Sequence, residues 1–219
     1  LTAGTVLDYE EGFRVLKGPH AGRLALGVRL DYENLDDPSW AKTQADALEQ
    51  AVKDGASALK EVKRLGLEIR WKNGELLKVD DPVLDPIWDR CGRLDIPVII
   101  HTTDPLAFHK PLGLSNERLT ELQAHPGWVF LKPGLPSKYE VLEGRGRMIA
   151  RHPETTFICV HFATFPEDPV TVGHWLDEHP NMNMDLAARF VEIGRHHPEM
   201  MRNFFLRYQD RILFGTDTG

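Results

Sequence analysis

Ten histidines lie in this 219-residue chain, and two of them stand where chemistry is done rather than where helices end. His101 closes the apolar run 96–101 (IPVIIH), and His161 closes 155–161 (TTFICVH). Three more runs deliver an ionisable residue at the same point. Lys60 lies near the end of 56–62, Asp185 ends the apolar part of 181–186 (NMNMDL), and Asp217 follows 211–216 (RILFGT). Taken singly, each has a bland reading: a histidine on a carbonyl, an aspartate capping a helix, a lysine reaching solvent. Burying apolar strands does not require polar residues at their C-terminal ends, so the five together form a set. Two imidazoles and a carboxylate converging on a point suit a zinc-type ion with an open coordination position. They fall one or two ligands short of a full catalytic site.

The other histidines read as structural. His125, His152, His179 and His197 each precede a proline at the end of a helical pattern, where a partly cationic side chain suits the helix C-terminus. His20, His109, His174 and His196 fall in loops or on polar faces and read as solvated.

The elements that must carry the set alternate along the chain. Strand patterns at 24–30 (LALGVRL), 56–62, 96–101, 155–161, 181–186 and 211–216 are separated by amphipathic stretches. Residues 40–54 place Ala41, Ala45, Leu48 and Val52 on one helical face, closed by Gly55. Asp81-Pro82 or Asp85-Pro86 opens a helix that turns Val83, Leu84, Ile87, Trp88 and Cys91 inward. Ser115 opens a short helix to His125, and Ser137 with Glu140 forms a capping box for a helix to His152. Asp168-Pro169 starts the helix to His179, and further helices fall between Ala187 and Tyr208. Continuously apolar strands alternating with helices predict a parallel α/β sheet covered by helices. In such a sheet the strand C-terminal ends open on one face.

Composition removes other classes. Hydrophobic residues are 42% and charged residues 27% of the chain, ordinary for a folded domain with a sizeable core. No apolar run approaches the roughly 18 residues of a membrane helix. The net charge of −7 and the lack of a basic stripe argue against nucleic acid. Cys91 and Cys159 are far apart in apolar stretches, which excludes a disulfide framework and a zinc finger. No dinucleotide or P-loop glycine pattern is present.

The order of Lys60, His101 in I-I-H-T, His161 in C-V-H-F and Asp217 in F-G-T-D resembles the amidohydrolase superfamily, in particular its amidohydrolase-related branch of metal-dependent (β/α)₈ barrels. GASALKEVKRLGL (55–67), DDPVLDPIWDRC (80–91) and DRILFGTD (210–217) are similar to that family in the same order. The resemblance runs from about Arg23 onward and implies a partial TIM barrel, residues 1–219 forming one incomplete domain with strands three to eight. It implies that His101 is the fifth-strand metal ligand. His161 is then the sixth-strand histidine, which binds a second metal or contacts the reacting water and substrate. Asp217 becomes the eighth-strand ligand and general base. Lys60 falls near the position of a metal-bridging carboxylated lysine in some members; in the mononuclear branch Lys60 or Lys63 binds an anionic substrate group. Arg189, just past the seventh strand, is the candidate for a substrate carboxylate.

Two departures accompany the match. The family's first-strand H-x-H is absent, which places it and the first two strands upstream of Leu1. His161-Phe162-Ala163 lacks the glycine the family more often has after this histidine. A chain that starts without methionine and stops in the F-G-T-D loop reads as a fragment with an open edge, little active alone, any signal peptide lying upstream. The expected reaction is hydrolysis of a small-molecule amide, ester or lactone with one divalent ion, zinc or else manganese. Asp217 takes the water's proton, His161 stabilises the oxyanion, and the long connection from His101 to Ser137 roofs the pocket. The alternatives are a non-hydrolytic decarboxylase of the same branch and a non-catalytic barrel. The default compartment is the cytoplasm, and homo-oligomerisation is left open.

Overall fold

The computed structural model describes residues 2–16 and 22–217; His20 lies outside them. Seven strands form one parallel sheet in sequence order: β1 (Thr2–Thr5), β2 (Gly27–Arg29), β3 (Ala58–Glu61), β4 (Val98–Ile100), β5 (Phe157–Cys159), β6 (Met182–Asp185) and β7 (Ile212–Leu213). The sequence pattern gives six of these, in longer form. It misses β1, whose TAGT offers no apolar run, yet which pairs with β2 through Thr2↔Gly27 and Thr5↔Arg29. One strand that the sequence reading places upstream of Leu1 is thus within the chain.

The connections are built by local rules. Asp81 accepts the Val83 amide to cap a short 3-10 turn, Pro82–Leu84, which runs directly into the helix Asp85–Arg93. Both proline-led starts are therefore used. Ser137 and Glu140 complete a reciprocal capping box on the helix Lys138–Arg151, and Asp168 caps Pro169–Glu178. Trp40–Asp54 ends at Gly55 with φ 119°, a left-handed cap that favours glycine. The short helix before His125 covers only Leu119–Ala124. His197 precedes the helix Pro198–Tyr208 and stands at its N-terminus, so the dipole argument for that histidine fails. No helix among the described residues is long and apolar enough to cross a membrane.

The register separates two faces. Leu59, Val98, Phe157 and Met182 align across β3 to β6, and all four are 0% exposed beneath the helices. One residue further on, Lys60, Ile99, Ile158 and Asn183 align on the opposite face, each only half-buried. Within the described residues the two sides are therefore not buried equally, where their apolar runs suggest burial on both faces. Cys91 and Cys159 are free and buried.

Candidate active site

His101 continues the β3–β4 ladder, its amide bonded to the Glu61 carbonyl at 3.0 Å. Its ring meets the ring of His161 edge to face, with centroids 4.4 Å apart. The two strand ends therefore bring both histidines together, as the sequence predicts.

His161 is held by strain. From His161 to Thr164 the chain makes one left-handed turn, with φ values of 62°, 56°, 51° and 55°. Each such residue with a Cβ costs about 1–2 kcal/mol, and no glycine relieves it. The turn persists because Asp185 accepts the His161 amide at 2.7 Å and the Ala187 amide at 3.1 Å. Thr164 bonds back to Val160 and His161, and Arg145, buried, donates to the Ala163 carbonyl at 2.6 Å. Asp185 is thus a brace for the sixth-strand loop.

The ring nitrogens carry the chemistry. His161 Nδ1 lies 2.9 Å from the Ala187 carbonyl, and since a carbonyl only accepts, Nδ1 bears the proton and Nε2 a lone pair. Nε2 faces Asp217 Oδ2 at 3.9 Å. Burial first, then the proximity of His101 and Arg189, pushes His161 down to about 4, so the ring is neutral at pH 7. His101 Nε2 lies 2.9 Å from the Thr103 carbonyl, which leaves Nδ1 as its lone pair. One nitrogen tied to an outer acceptor and the other open is the arrangement of metal-binding imidazoles. The donor types fit a divalent ion. Among the described residues, however, no three His, Cys, Asp or Glu side chains are drawn together closely enough to hold one; Asp217 is 59% exposed. The tautomer also overturns one expected role. A neutral His161 with its proton on Nδ1 accepts at Nε2 and cannot donate to an oxyanion.

Cations surround the pair. Lys60 is half-buried, and burial lowers its pKa against the opposing pull of Asp185 and Asp217. Arg189 is 9% exposed, donates to its neighbour's carbonyl at Ala188 and leaves its buried Nε without a partner. Lys63 pairs with Asp104 at 2.5 Å and leans over the rings of Trp128 and Phe130 at 5.5 and 5.7 Å. Those rings belong to the long connection expected to roof the pocket, and they do cover Lys63.

Two participants, and one buried acid outside the site, escape the sequence reading. Asp104 is 4% exposed; burial opposes its charge, but His101 and Lys63 outweigh it and hold the carboxyl well below the usual range. His109, read as solvated, is half-buried, bonds Thr103 Oγ1 at 2.7 Å and is held by burial down to about 4. Glu61 is buried on the helix-covered face, where burial pushes it up to about 7 despite hydrogen bonds from Tyr32 and the Leu30 amide. The Asp in H-T-T-D was a visible signal; the pairing with Lys63, 41 residues away, was not.

The amidohydrolase family's sequence profile matches residues 28–218. No curated protein matches the chain. Among solved structures, a TIM-barrel protein from Bordetella bronchiseptica shares 18% identity at TM-score 0.51, covering 93% of this chain and 57% of that one. A dihydroxybenzoic acid decarboxylase from Polaromonas sp. JS666, with bound manganese and 2-nitroresorcinol, shares 16% at TM-score 0.55, covering 99% and 67%. A probable 2-pyrone-4,6-dicarboxylic acid hydrolase from Acinetobacter baumannii shares 10% at 0.51, covering 93% and 61%. At such identities the likeness is one of fold. This sheet is part of a (β/α)₈ barrel, and the chain spans about 57–67% of these relatives' lengths.

Proposed function

The chain belongs to the amidohydrolase family, and from that premise we propose that it supplies most of the site of a metal-dependent hydrolase acting on a small-molecule amide, ester or lactone. The observation that carries this reading is the His101–His161 pair, at 4.4 Å, each ring tied at one nitrogen to a backbone carbonyl. His101 through Nδ1 and His161 through Nε2 would hold one ion, zinc or manganese, and the exposed Asp217 carboxylate, 3.9 Å from His161 Nε2, would have to draw in to become the third ligand. Bound there, the ion supplies a Lewis acid that makes water a nucleophile at neutral pH and polarises a carbonyl. Asp217, exposed at the end of the last strand, accepts the proton of the attacking water and returns it to the leaving group. Arg189 and Lys63, gathered at Asp104, are the cations for a substrate carboxylate, and Lys60, under the pull of Asp185 and Asp217, is a further one. Developing negative charge falls to these cations, since His161 only accepts.

The same cations favour a second reading, decarboxylation of an unsaturated or aromatic carboxylate, the activity for which the Polaromonas relative is named. The test starts with metal. The protein and a His101→Ala, Asp217→Ala double variant are purified and analysed for zinc and manganese. Near-stoichiometric metal in the first and its loss in the second supports the site; absence of metal from the unsubstituted protein refutes it. Asp217→Asn is expected to lower turnover by about 10²–10⁴. Release of CO₂ without uptake of water into product would replace hydrolysis by the second reading.

A further inference from the structure

We propose that Asp104 is a positioning residue for His101 and the neighbouring cations, an inference that rests on His101 acting as a metal ligand. Its carboxylate lies in a loop, residues 102–104, in which all three residues are buried at 1%, 0% and 4% exposure. Oδ2 receives Lys63 Nζ at 2.5 Å. Oδ1 faces His101 Nε2 at 3.4 Å and Arg189 Nη2 at 3.7 Å. Lys63 follows β3, His101 follows β4 and Arg189 follows β6, so one carboxylate gathers side chains from beyond three strand ends.

The consequence for His101 is specific. Its Nε2–H bonds the Thr103 carbonyl at 2.9 Å, and the Asp104 carboxylate stands beside that nitrogen at 3.4 Å. A carboxylate behind an imidazole fixes the tautomer and raises the basicity of the other nitrogen. Here that nitrogen is Nδ1, the one left for a metal ion. Thr103 does not hold this arrangement alone, because its own loop is anchored by Asp104 to Lys63 and Arg189. Without Asp104, two cations from different strand ends would face each other with no anion between them, and the loop beneath His101 would lose its anchors. The same contacts hold Lys63 and Arg189 on one side of the site, where a substrate carboxylate must compete with Asp104 for them.

The experiment compares wild-type protein with Asp104→Asn and Asp104→Glu by two readouts. Long-range ¹⁵N–¹H spectra of the histidine rings report the His101 tautomer, assigned against His101→Gln. Titration with Mn²⁺ reports metal affinity. In Asp104→Asn the His101 ring is expected to populate the Nδ1–H form beside the Nε2–H form, and Mn²⁺ to bind about 10–100-fold more weakly. Asp104→Glu restores the charge and is expected to return both towards wild type. If Asp104→Asn does not fold, the double variant Lys63→Met, Asp104→Asn removes both partners of the ion pair and gives the same comparison. A His101 ring unchanged on loss of the carboxylate overturns the proposal. Wild-type protein that binds no Mn²⁺ counts against the metal reading alone, and the ring spectra still decide the role of Asp104.

Discussion

The two faces of the sheet are made from the same strands and differ by one residue of register. On the helix-covered face Leu59, Val98, Phe157 and Met182 lose all contact with water. On the other, Lys60, Ile99, Ile158 and Asn183 remain half-buried, and the ionisable set lies at the end of that face. Fully burying a side chain the size of Phe or Leu stabilises by about 1.5–3 kcal/mol, so the first face carries the stability. The second sets Lys60 and Asn183 beside two isoleucines and leads to the ionisable rim. Alternation along a strand thus divides the labour, and a substitution tells the two apart.

Phe157→Ala should do the most damage, destabilising by about 3–5 kcal/mol in urea or thermal unfolding. A cost under 1 kcal/mol would mean that the covered face is not the core. Glu61→Gln comes next, because this face also holds one acid where apolar groups are expected. The folded-state pKa of Glu61 is raised from 4.5 to about 7, so the unfolded chain gives up the proton first. Stability from this group is complete below pH 4.5 and is lost as pH rises to about 7. The variant should lack that part of the decline in denaturation measured at pH 5 and 7.5; an unchanged decline would contradict the assignment. On the other face Ile158→Ala should cost less, about 1–2 kcal/mol, since that residue is only partly buried. A loss equal to that of Phe157→Ala would erase the distinction between the faces. Smallest of all is Ala163→Gly. It relieves a left-handed residue at φ 51° and adds unfolded-state entropy, for a net stabilisation of about 0.5 kcal/mol. A loss above 1 kcal/mol would show that the Ala163 methyl is needed for packing.

What could be read in advance follows the range of the interaction. Ser137 and Glu140 meet three residues apart and Asp168 bonds two and three residues on, so the caps are written locally. His101, His161 and Asp217 each end an apolar run and were visible as strand ends, as was Arg189 beyond Asp185. Lys63 with Asp104 and Arg145 with Ala163 join different elements, and no local pattern announces them. The turn at His161 was hidden for another reason: its four left-handed residues are imposed by Asp185 and Arg145 rather than favoured by their own types. β1 went unseen because Thr2–Thr5 has neither length nor apolar character. His109 was misread since a loop position says nothing of what folds over it.

Each strand is bonded only to its neighbours in sequence. The sheet can therefore grow by one edge, every new strand docking on the last. In that order the histidine pair exists once β5 has joined β4, and the brace at Asp185 arrives with β6. Asp217 arrives only after β7. Along the described chain Asp217 is the last of these rim residues, and the imidazole pair and its brace are fixed by contacts in which it takes no part.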